Sequence, residues 1–512
     1  MQTSSQQVPY RGLISIAVML ATIMQVLDTT IANVALPHMQ GSLSATQDQI
    51  TWVLTSYIVA SAIMTLPTGW LAGRFGRKQV FLVSTAGFTL SSLLCGVAGS
   101  IEAMVFYRIL QGCFGAAIVP LAQATMLDIN PREKHGSAMA LWGVGVMIGP
   151  ILGPTLGGYL TEYYSWRWVF LINLPLGIVT FLGLWLFMPD SERSDRPLDG
   201  LGFVLLVLVI GSLQLILDRG EHAEWFQSRE ILLYCAIAAG AFWMYAVHTR
   251  QSASPFLSPA MFRDRNLVTS LVFIFFVGII LLATMALLPP YMQNLMGYPV
   301  LDVGTLMAPR GMGTMVAMLI VGRLSQKVDP RVLILTGLLV TAVSLYQMSL
   351  FTTYVPPRLL VVTGVMQGFG LGFIFVPLST VAYATLPASL RAEAAGVFSL
   401  VRNLGSSIGI SLVIAVLSRG TQTNHAYLSE FVTPFTLGLS PQQIPEALSA
   451  QTGMTLGLLN AEVARQAATI AYVNDFRLMM WIVLAAAPLV LLLKRAPARA
   501  VSAAVPPPAA DH

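Results

Sequence analysis

The sequence predicts an all-α polytopic membrane protein, with fourteen transmembrane helices arranged as two six-helix pseudo-repeats plus two inserted helices. Three observations carry this. Only 10% of the 512 residues are charged and 55% are hydrophobic, whereas a soluble domain carries about 25% charged residues. The apolar residues come in unbroken runs of about 20, the length a helix needs to cross a bilayer, not in the alternating strands of an outer-membrane barrel. The second half of the chain also echoes the first at a nearly constant offset. Such a composition excludes a soluble enzyme, a secreted disulfide scaffold and a disordered chain.

The expected spans, in order, are 13–36, 51–73, 79–99, 102–127, 136–160, 167–188, 199–217, 231–248, 268–290, 303–323, 332–351, 358–384, 394–418 and 475–494. The first is too long for a signal-peptide core and no clear small-residue cleavage site follows it, so it counts as a span. The positive-inside rule tests the count. With both termini cytoplasmic, inner loops and tails hold 18 Lys and Arg residues and outer loops hold 6. The sequence pI near 9.1 is thus an orientation signal and not a nucleic-acid surface. Residues 419–474 form one long polar outer segment with a helix expected near 456–472, and residues 496–512 are Ala/Pro-rich and expected to be a disordered cytoplasmic tail.

The repeat is specific. Gln111-Gly112 matches Gln367-Gly368, the loop Pro131 to Ala138 matches Pro387 to Ala394, and Gly149 matches Gly405, each at an offset of 256. GWLAGRFGRK at Gly69 matches GRLSQKVDPR at Gly322, at 253. Four ordered matches at equivalent loops argue for duplication. The expected units are an N-terminal six-helix bundle, 13–188; two inserted linker helices, 199–248; and a C-terminal six-helix bundle, 268–494, which includes segment 419–474. Two similar halves facing a midplane site suit alternating access.

Candidate functional residues follow from the cost of burying polarity in a membrane. Span 1 contains Asp28, the one carboxylate expected well inside a span, and an intramembrane acid marks an ion or proton path by default. Gln25, Asp28, Thr29 and Asn33 share one helical arc, which also suits a plain helix–helix hydrogen-bond seam. Span 4 carries Arg108, with Gln111 and Gly112 on its face. At about 1.5 Å per residue, Asp28 and Arg108 reach similar depths, so the two can pair. In span 5, Gly145, Gly149, Gly153 and Gly157 recur every four residues with Pro150 and Pro154 between them. The glycines admit a close neighbouring helix, and the prolines are expected to bend the span. Gly69, Arg74, Gly76 and Arg77, followed by Lys78, join spans 2 and 3 in a tight basic turn. Arg310 and Arg402 are further intramembrane cations that either line a cavity or snorkel to an edge. Tyr57, Trp142, Phe273, Phe276, Tyr291 and Phe373 are more readily packing residues than ligand contacts. Cys95, Cys113 and Cys235 all lie in apolar runs and the six histidines are scattered, so no disulfide or metal site is expected. Without a phosphate-binding loop, nucleophile elbow or carboxylate pair, no enzyme chemistry and no cofactor is expected.

Together these motifs resemble the major facilitator superfamily. GWLAGRFGRK looks like its signature between spans 2 and 3, RILQG like its span-4 motif, and GVGVMIGPILGPTLGG like the span-5 motif of its antiporters. LDTTIANVALP and WRWVFLINLPLG are similar to motifs of the 14-span drug:proton antiporters, and LDRGEHAEWF and SPFLSPAMFRDRNL narrow the resemblance to the EmrB-like branch. The resemblance covers residues 10–495 and implies an exporter in the bacterial inner membrane that trades protons for small amphipathic substrates. It also implies a periplasmic adaptor and an outer-membrane channel as partners. On that reading Asp28 and Arg108 couple the proton, and Gln25, Asn33, Gln111, Arg310 and Arg402 line the substrate cavity. The Gly/Pro positions of span 5 form the conformational helix, and Gly69, Arg74, Gly76 and Arg77 form the cytoplasmic gate. One departure is Gly73, where the family loop usually carries Asp. The alternatives are a proton symporter importing an organic solute, against which the span-5 pattern weighs, and a non-transporting receptor or scaffold, against which the repeat and the buried acid–base pair weigh.

Overall fold

The computed structural model describes residues 10–493 apart from 192, 194–196, 221–222, 253, 326 and 433–451. Every regular element among the described residues is helical. Thirteen helices are long and apolar enough to cross a membrane, and a bent pair supplies a fourteenth. In chain order they correspond one to one with the fourteen expected spans, and are numbered accordingly.

Local chemistry sets several boundaries. Span 2 begins at Thr46, whose hydroxyl accepts from Gln49 N while Gln49 Oε1 accepts from Thr46 N, a reciprocal cap. Span 3 begins after Gly76, which holds a φ of +91° that only glycine adopts without strain. Asp199, Asp264 and Asp329 cap spans 7, 9 and 11 through their carboxylates.

Two expectations are corrected. Span 2 is not one helix over 51–73: Gln49–Thr65 and Thr68–Phe75 meet at 54°. Pro67 sits at the break, where its ring excludes a continuous hydrogen-bond ladder. Within segment 419–474, the helix expected near 456–472 is not separate from span 14, and the start of the segment belongs to span 13. Span 13 runs on as one helix over Ala388–Phe431, and span 14 is already helical over Thr452–Ala486. At 1.5 Å per residue, helices of 44 and 35 residues outreach the hydrocarbon core. Their extensions pair: Asn424 Nδ2 donates to Ala467 O at 3.3 Å, and Gly420 stands against Ala471. The tail at 496–512 lies outside the described residues.

Span 5 holds the centre. One side packs along span 1. The other packs along span 10, where Gly136 meets Ser325, Gly322 meets Ala140 and Gly311 meets Ile151. Spans 9 and 13 form a similar glycine-lined seam, with Gly405 against Phe275 and Gly409 against Ile279. Both glycines lie 256 residues beyond Gly149 and Gly153 (405 − 149 and 409 − 153). Spans 7 and 8 pack mainly on each other. They are tied to the rest by Gln214 Nε2 donating to Ser407 Oγ at 2.7 Å and by the contact of Thr55 with Asp218.

Candidate functional site

Asp28 is fully buried, and its carboxylate is caged by three donors from spans 4 and 6. Arg108 Nη1 donates to Oδ2 at 2.7 Å. Gln111 Nε2 and Asn173 Nδ2 each donate to Oδ1 at 2.8 Å. Arg108, Gln111 and Asn173 are all 0% exposed. A lone charge there would be prohibitive, and the opposite charge together with two amides offsets much of the penalty. The Arg108 guanidinium has further acceptors: Nε donates to Val53 O at 3.0 Å and Nη1 to Gln111 Oε1 at 2.8 Å. It lies 4.2 Å from the centroid of the Tyr57 ring, a cation–π contact in a dry setting. Gln25 Nε2 donates to the Tyr57 hydroxyl at 3.0 Å, extending the network to a half-buried residue of span 1.

The glycine stripe of span 5 lies on the helix that carries Asp28. A Cβ at Gly145 would meet Met19, at Gly149 Val26 and Leu27, at Gly153 Thr30, and at Gly157 Ile31. Thr30 Oγ1 also donates to Gly149 O at 3.1 Å. Span 5 stays a single helix, His135–Tyr163, through Pro150 and Pro154. Gly311 packs against Ile151 on its other side, next in sequence to Arg310. Span 5 therefore touches both the acid-bearing and the Arg310-bearing helix.

At the end of the molecule that carries the basic loops, the two halves are closed on each other. Asp128 joins Arg77 and Arg391, the latter at 2.9 Å. A Cβ on Gly69 would fall 2.5 Å from Glu393 Cα, so only glycine lets these backbones approach so closely. Ser137 Oγ donates to Gly322 O at 3.1 Å, and Trp142 stacks on Phe375 at 6.0 Å. At the opposite end the span 5–span 10 seam thins: Gly304 meets only Thr155, at 3.9 Å, and nothing lies within 4 Å of a Cβ at Gly158.

The remaining expected residues divide. Gln111 belongs to the carboxylate cage and does not line a cavity. Asn33 is exposed on the span-1 arc and Gln25 is half-buried. Arg310 is 5% exposed and borders a small cavity with Leu288, Met292, Leu306, Met307, Leu360 and Gly364. Its Nη2 donates to Leu281 O at 3.3 Å, and Nη1 has no hydrogen-bond partner. Arg402 is half-buried near Tyr383, whose hydroxyl donates to Gln123 Oε1 at 3.3 Å across the two halves. Trp142, Phe273 and Tyr291 are buried packing residues. Arg74 has interactions at the basic end, and Cys95, Cys113 and Cys235 are free thiols.

The family model described as Major Facilitator Superfamily matches residues 18–410. The chain belongs to the major facilitator superfamily. Within it, the chain is 36% identical over 433 residues to the multidrug export protein EmrB of Haemophilus influenzae, covering 83% of this chain and 84% of that one. It is 36% identical over 439 residues to EmrB of Escherichia coli, covering 84% and 85%. It is 33% identical over 463 residues to the fatty acid resistance protein FarB of Neisseria gonorrhoeae, covering 88% and 90%. Solved structures of the same fold include the proton:xylose symporter XylE, with TM-score 0.60, 13% identity and coverage of 95% and 100%. The human organic anion transporter MFSD10 also shares it, with TM-score 0.58, 14% identity and coverage of 93% and 100%. The chain is thus a multi-pass membrane transporter of small substrates in the EmrB-like branch of the superfamily, and not an enzyme.

Sequence reasoning missed several residues of this superfamily member. Asn173 is a lone amide in the apolar run of span 6 and was open to the same polar-in-span test that singled out Asp28. Asp128 lies one residue beyond the expected end of span 4, and Arg391 counts among the loop charges; nothing local pairs them. Asp475 corrects the expectation of a single deep acid. It sits at the expected edge of span 14, yet that helix begins far earlier and buries it completely.

Proposed function

We propose that this chain is a proton-coupled antiporter that exports amphipathic drugs or toxic organic compounds by alternating access, from the bacterial inner membrane, with both termini cytoplasmic. The observation that carries this is the caged carboxylate of Asp28 on a helix seated along the glycine stripe of span 5. Protonation of Asp28 removes the charge around which Arg108, Gln111 and Asn173 are arranged. Arg108 then becomes an uncompensated buried cation, which its remaining bonds to Val53 O and Gln111 Oε1 only partly offset. The arrangement that relieves it is a shift of span 1 or span 4, and span 5 transmits that shift to span 10. Closure through Asp128, Arg391 and Gly69 at the basic end, taken as cytoplasmic, suits an outward-facing state poised to accept protons.

The two-bundle organisation fits this reading. Gln367 Nε2 donates to Thr284 Oγ1 at 2.9 Å, as Gln111 does to Asp28. Both partners are shifted by 256 (367 − 111 and 284 − 28). Only the first half keeps the acid at this position, so the coupling proton belongs to Asp28. The substrate path runs between the halves past Gln25, Asn33, Arg310 and Arg402. Arg310 Nη1, a buried donor without an acceptor, suits a substrate that brings a negative or strongly polar group. The name of the relative FarB, a fatty acid resistance protein, is in keeping with this.

The deciding experiment is transport of a panel of cationic, neutral and anionic dyes by proteoliposomes under an imposed pH gradient. Dye movement opposite to the proton flux, abolished by an ionophore, is expected. Dye movement with the protons in inverted vesicles establishes symport, and the absence of any proton-linked flux rejects transport. The paired extensions of spans 13 and 14 suit contact with a periplasmic adaptor feeding an outer-membrane channel. Deleting 425–470 should therefore abolish resistance in cells while sparing flux in liposomes, and equal loss in both rejects the adaptor role.

A further inference from the structure

Asp475 is 0% exposed, and neither carboxylate oxygen has a hydrogen-bond partner. It lies in span 14, Leu459–Leu492, one turn basic-ward of Tyr472 and beside Phe476. The surroundings are an aromatic cluster at the end opposite the basic loops. Tyr291 packs on Tyr472 at 5.4 Å and on Phe476 at 6.4 Å, and Phe351 packs on Phe476 at 6.2 Å. Met479, one turn further along, is also fully buried.

The groups able to answer a charge there are few. Span 9 presents Tyr291, whose hydroxyl is committed to Thr352 O at 2.7 Å. Span 11 presents Tyr346, which is exposed, and span 13 presents Arg419, exposed beside Gly420, which faces Ala471 a turn above Asp475. On span 14 itself are Tyr472 and the exposed Arg477. Among the described residues none donates to Asp475 or forms an ion pair with it.

Contrast with Asp28 decides the chemistry. Asp28 is buried with a cation and two amides, as an ionised carboxylate requires. Asp475 is buried with none, and an unanswered charge in such a place is untenable. A carboxylic acid is tenable, because protonation removes the charge. The geometry also supplies a means of changing its surroundings. Span 9 reaches this cluster through Pro289 and Pro290 and ends in a π-helical turn, Tyr291–Leu295, the kind of irregularity that concentrates at functional and bending points.

We propose that Asp475 is a second proton-binding residue, separate from Asp28, which is a carboxylic acid in this conformation. It loses its proton to water from the opposite end when the junction at Tyr291–Leu295 moves and opens the cluster. The step breaks the Asp475 O–H bond, passes the proton to water and leaves a carboxylate that cannot return to the closed cluster until it is protonated again. This couples the packing of span 14 on spans 9 and 11 to the pH at that end, and does not depend on which substrate moves or in which direction.

The test is infrared difference spectroscopy of the full-length protein in lipid nanodiscs, stepped from acidic to alkaline buffer. The wild type should lose a band of a buried protonated carboxyl; Asp475→Asn should lack that band and Asp28→Asn should keep it. Amide hydrogen exchange over residues 465–480 should rise with the alkaline step in the wild type and stay flat in Asp475→Asn. Asp475→Leu guards against a folding artefact: replacing an unpartnered acid by an apolar side chain should leave the protein at least as stable and also remove the band. Persistence of the band in Asp475→Asn, no band lost by the wild type, or exchange that responds equally in both overturns the proposal. Unfolding of Asp475→Leu also overturns it, because the carboxyl would then be held by bonds it needs.

Discussion

Gln367 donates to Thr284 at 2.9 Å in the second half of the chain, and 256 residues earlier the same two positions are Gln111 and Asp28 (367 − 111 and 284 − 28). Duplication has preserved the amide and its geometry while the acceptor differs between the halves. The repeat position of Arg108 is Gly364 (364 − 108 = 256), and Arg310 stands against that glycine, with its Cβ 3.6 Å from where a Gly364 Cβ would lie. The first half thus pairs its cation with an acid, and the second places a cation from a different helix beside a neutral site.

This asymmetry makes the first prediction. Gln367→Leu removes one neutral hydrogen bond and should cost about 1 kcal/mol or less, with transport retained. Gln111→Leu removes a donor to Asp28 and an acceptor of Arg108 and should cost about 1.5–3 kcal/mol per charged hydrogen bond lost, with coupling impaired. Thermal unfolding in detergent and proton-driven dye efflux compare the two; equal effects would show that the cage has no special role.

The second prediction separates the two charges of the pair. Asp28→Asn keeps the shape and should leave a folded, inserted protein without proton-driven efflux. Arg108→Ala leaves a caged carboxylate without its cation and should destabilise by about 3–5 kcal/mol. The double variant Asp28→Asn with Arg108→Gln should recover stability relative to Arg108→Ala while remaining uncoupled. Wild-type pH-driven transport by Asp28→Asn would remove that residue from the mechanism.

Span 5 is the third test. A Cβ at Gly153 would sit 2.2 Å from Thr30 Oγ1, so Gly153→Val must push span 1 away. A cost of about 1–3 kcal/mol is expected from overpacking, with efflux falling further than stability because the same seam carries the motion. Gly158→Ala, with nothing within 4 Å, is the control and should behave as wild type in both assays.

Arg310 is the fourth. Nη1 has no partner and Nη2 donates to Leu281 O at 3.3 Å, so Arg310→Gln removes a buried charge at the loss of one long hydrogen bond and should preserve the fold. Efflux of anionic or weakly acidic amphiphiles should weaken selectively. Equal loss of anionic and permanently cationic dyes, or a wild-type preference for quaternary ammonium compounds, would contradict the assignment.

The fifth concerns the basic end. Asp128→Asn breaks the contacts to both Arg77 and Arg391, whereas Arg391→Gln breaks one. Arg391 is buried, but Asp128, common to both pairs, is partly exposed, so each pair contributes at most about 1 kcal/mol, enough to shift a conformational balance but not to unfold the protein. Spin-label distances across the basic end should lengthen in the order wild type, Arg391→Gln, Asp128→Asn, with melting temperature nearly constant. Unchanged distances in Asp128→Asn would exclude these pairs as a latch.

The number and placement of the spans were legible in the sequence because lipid imposes them locally: each span must be apolar over its own length, and a deep acid, a buried cation and a four-residue glycine period each stand out against that background. Asp28, Arg108 and the span-5 stripe were found in this way, and the repeat offset was readable because it is a property of sequence alone. The tertiary structure decided what depends on neighbours distant along the chain. That Asn173 completes the cage, that Asp128 joins Arg77 to Arg391, and that the glycine stripe meets span 1 are facts of packing between helices far apart in sequence. Asp475 illustrates the reason. Its burial depends on how far span 14 extends and on which aromatic side chains close over it. A one-dimensional hydropathy reading places such a residue at a boundary, whereas the folded protein places it in a core.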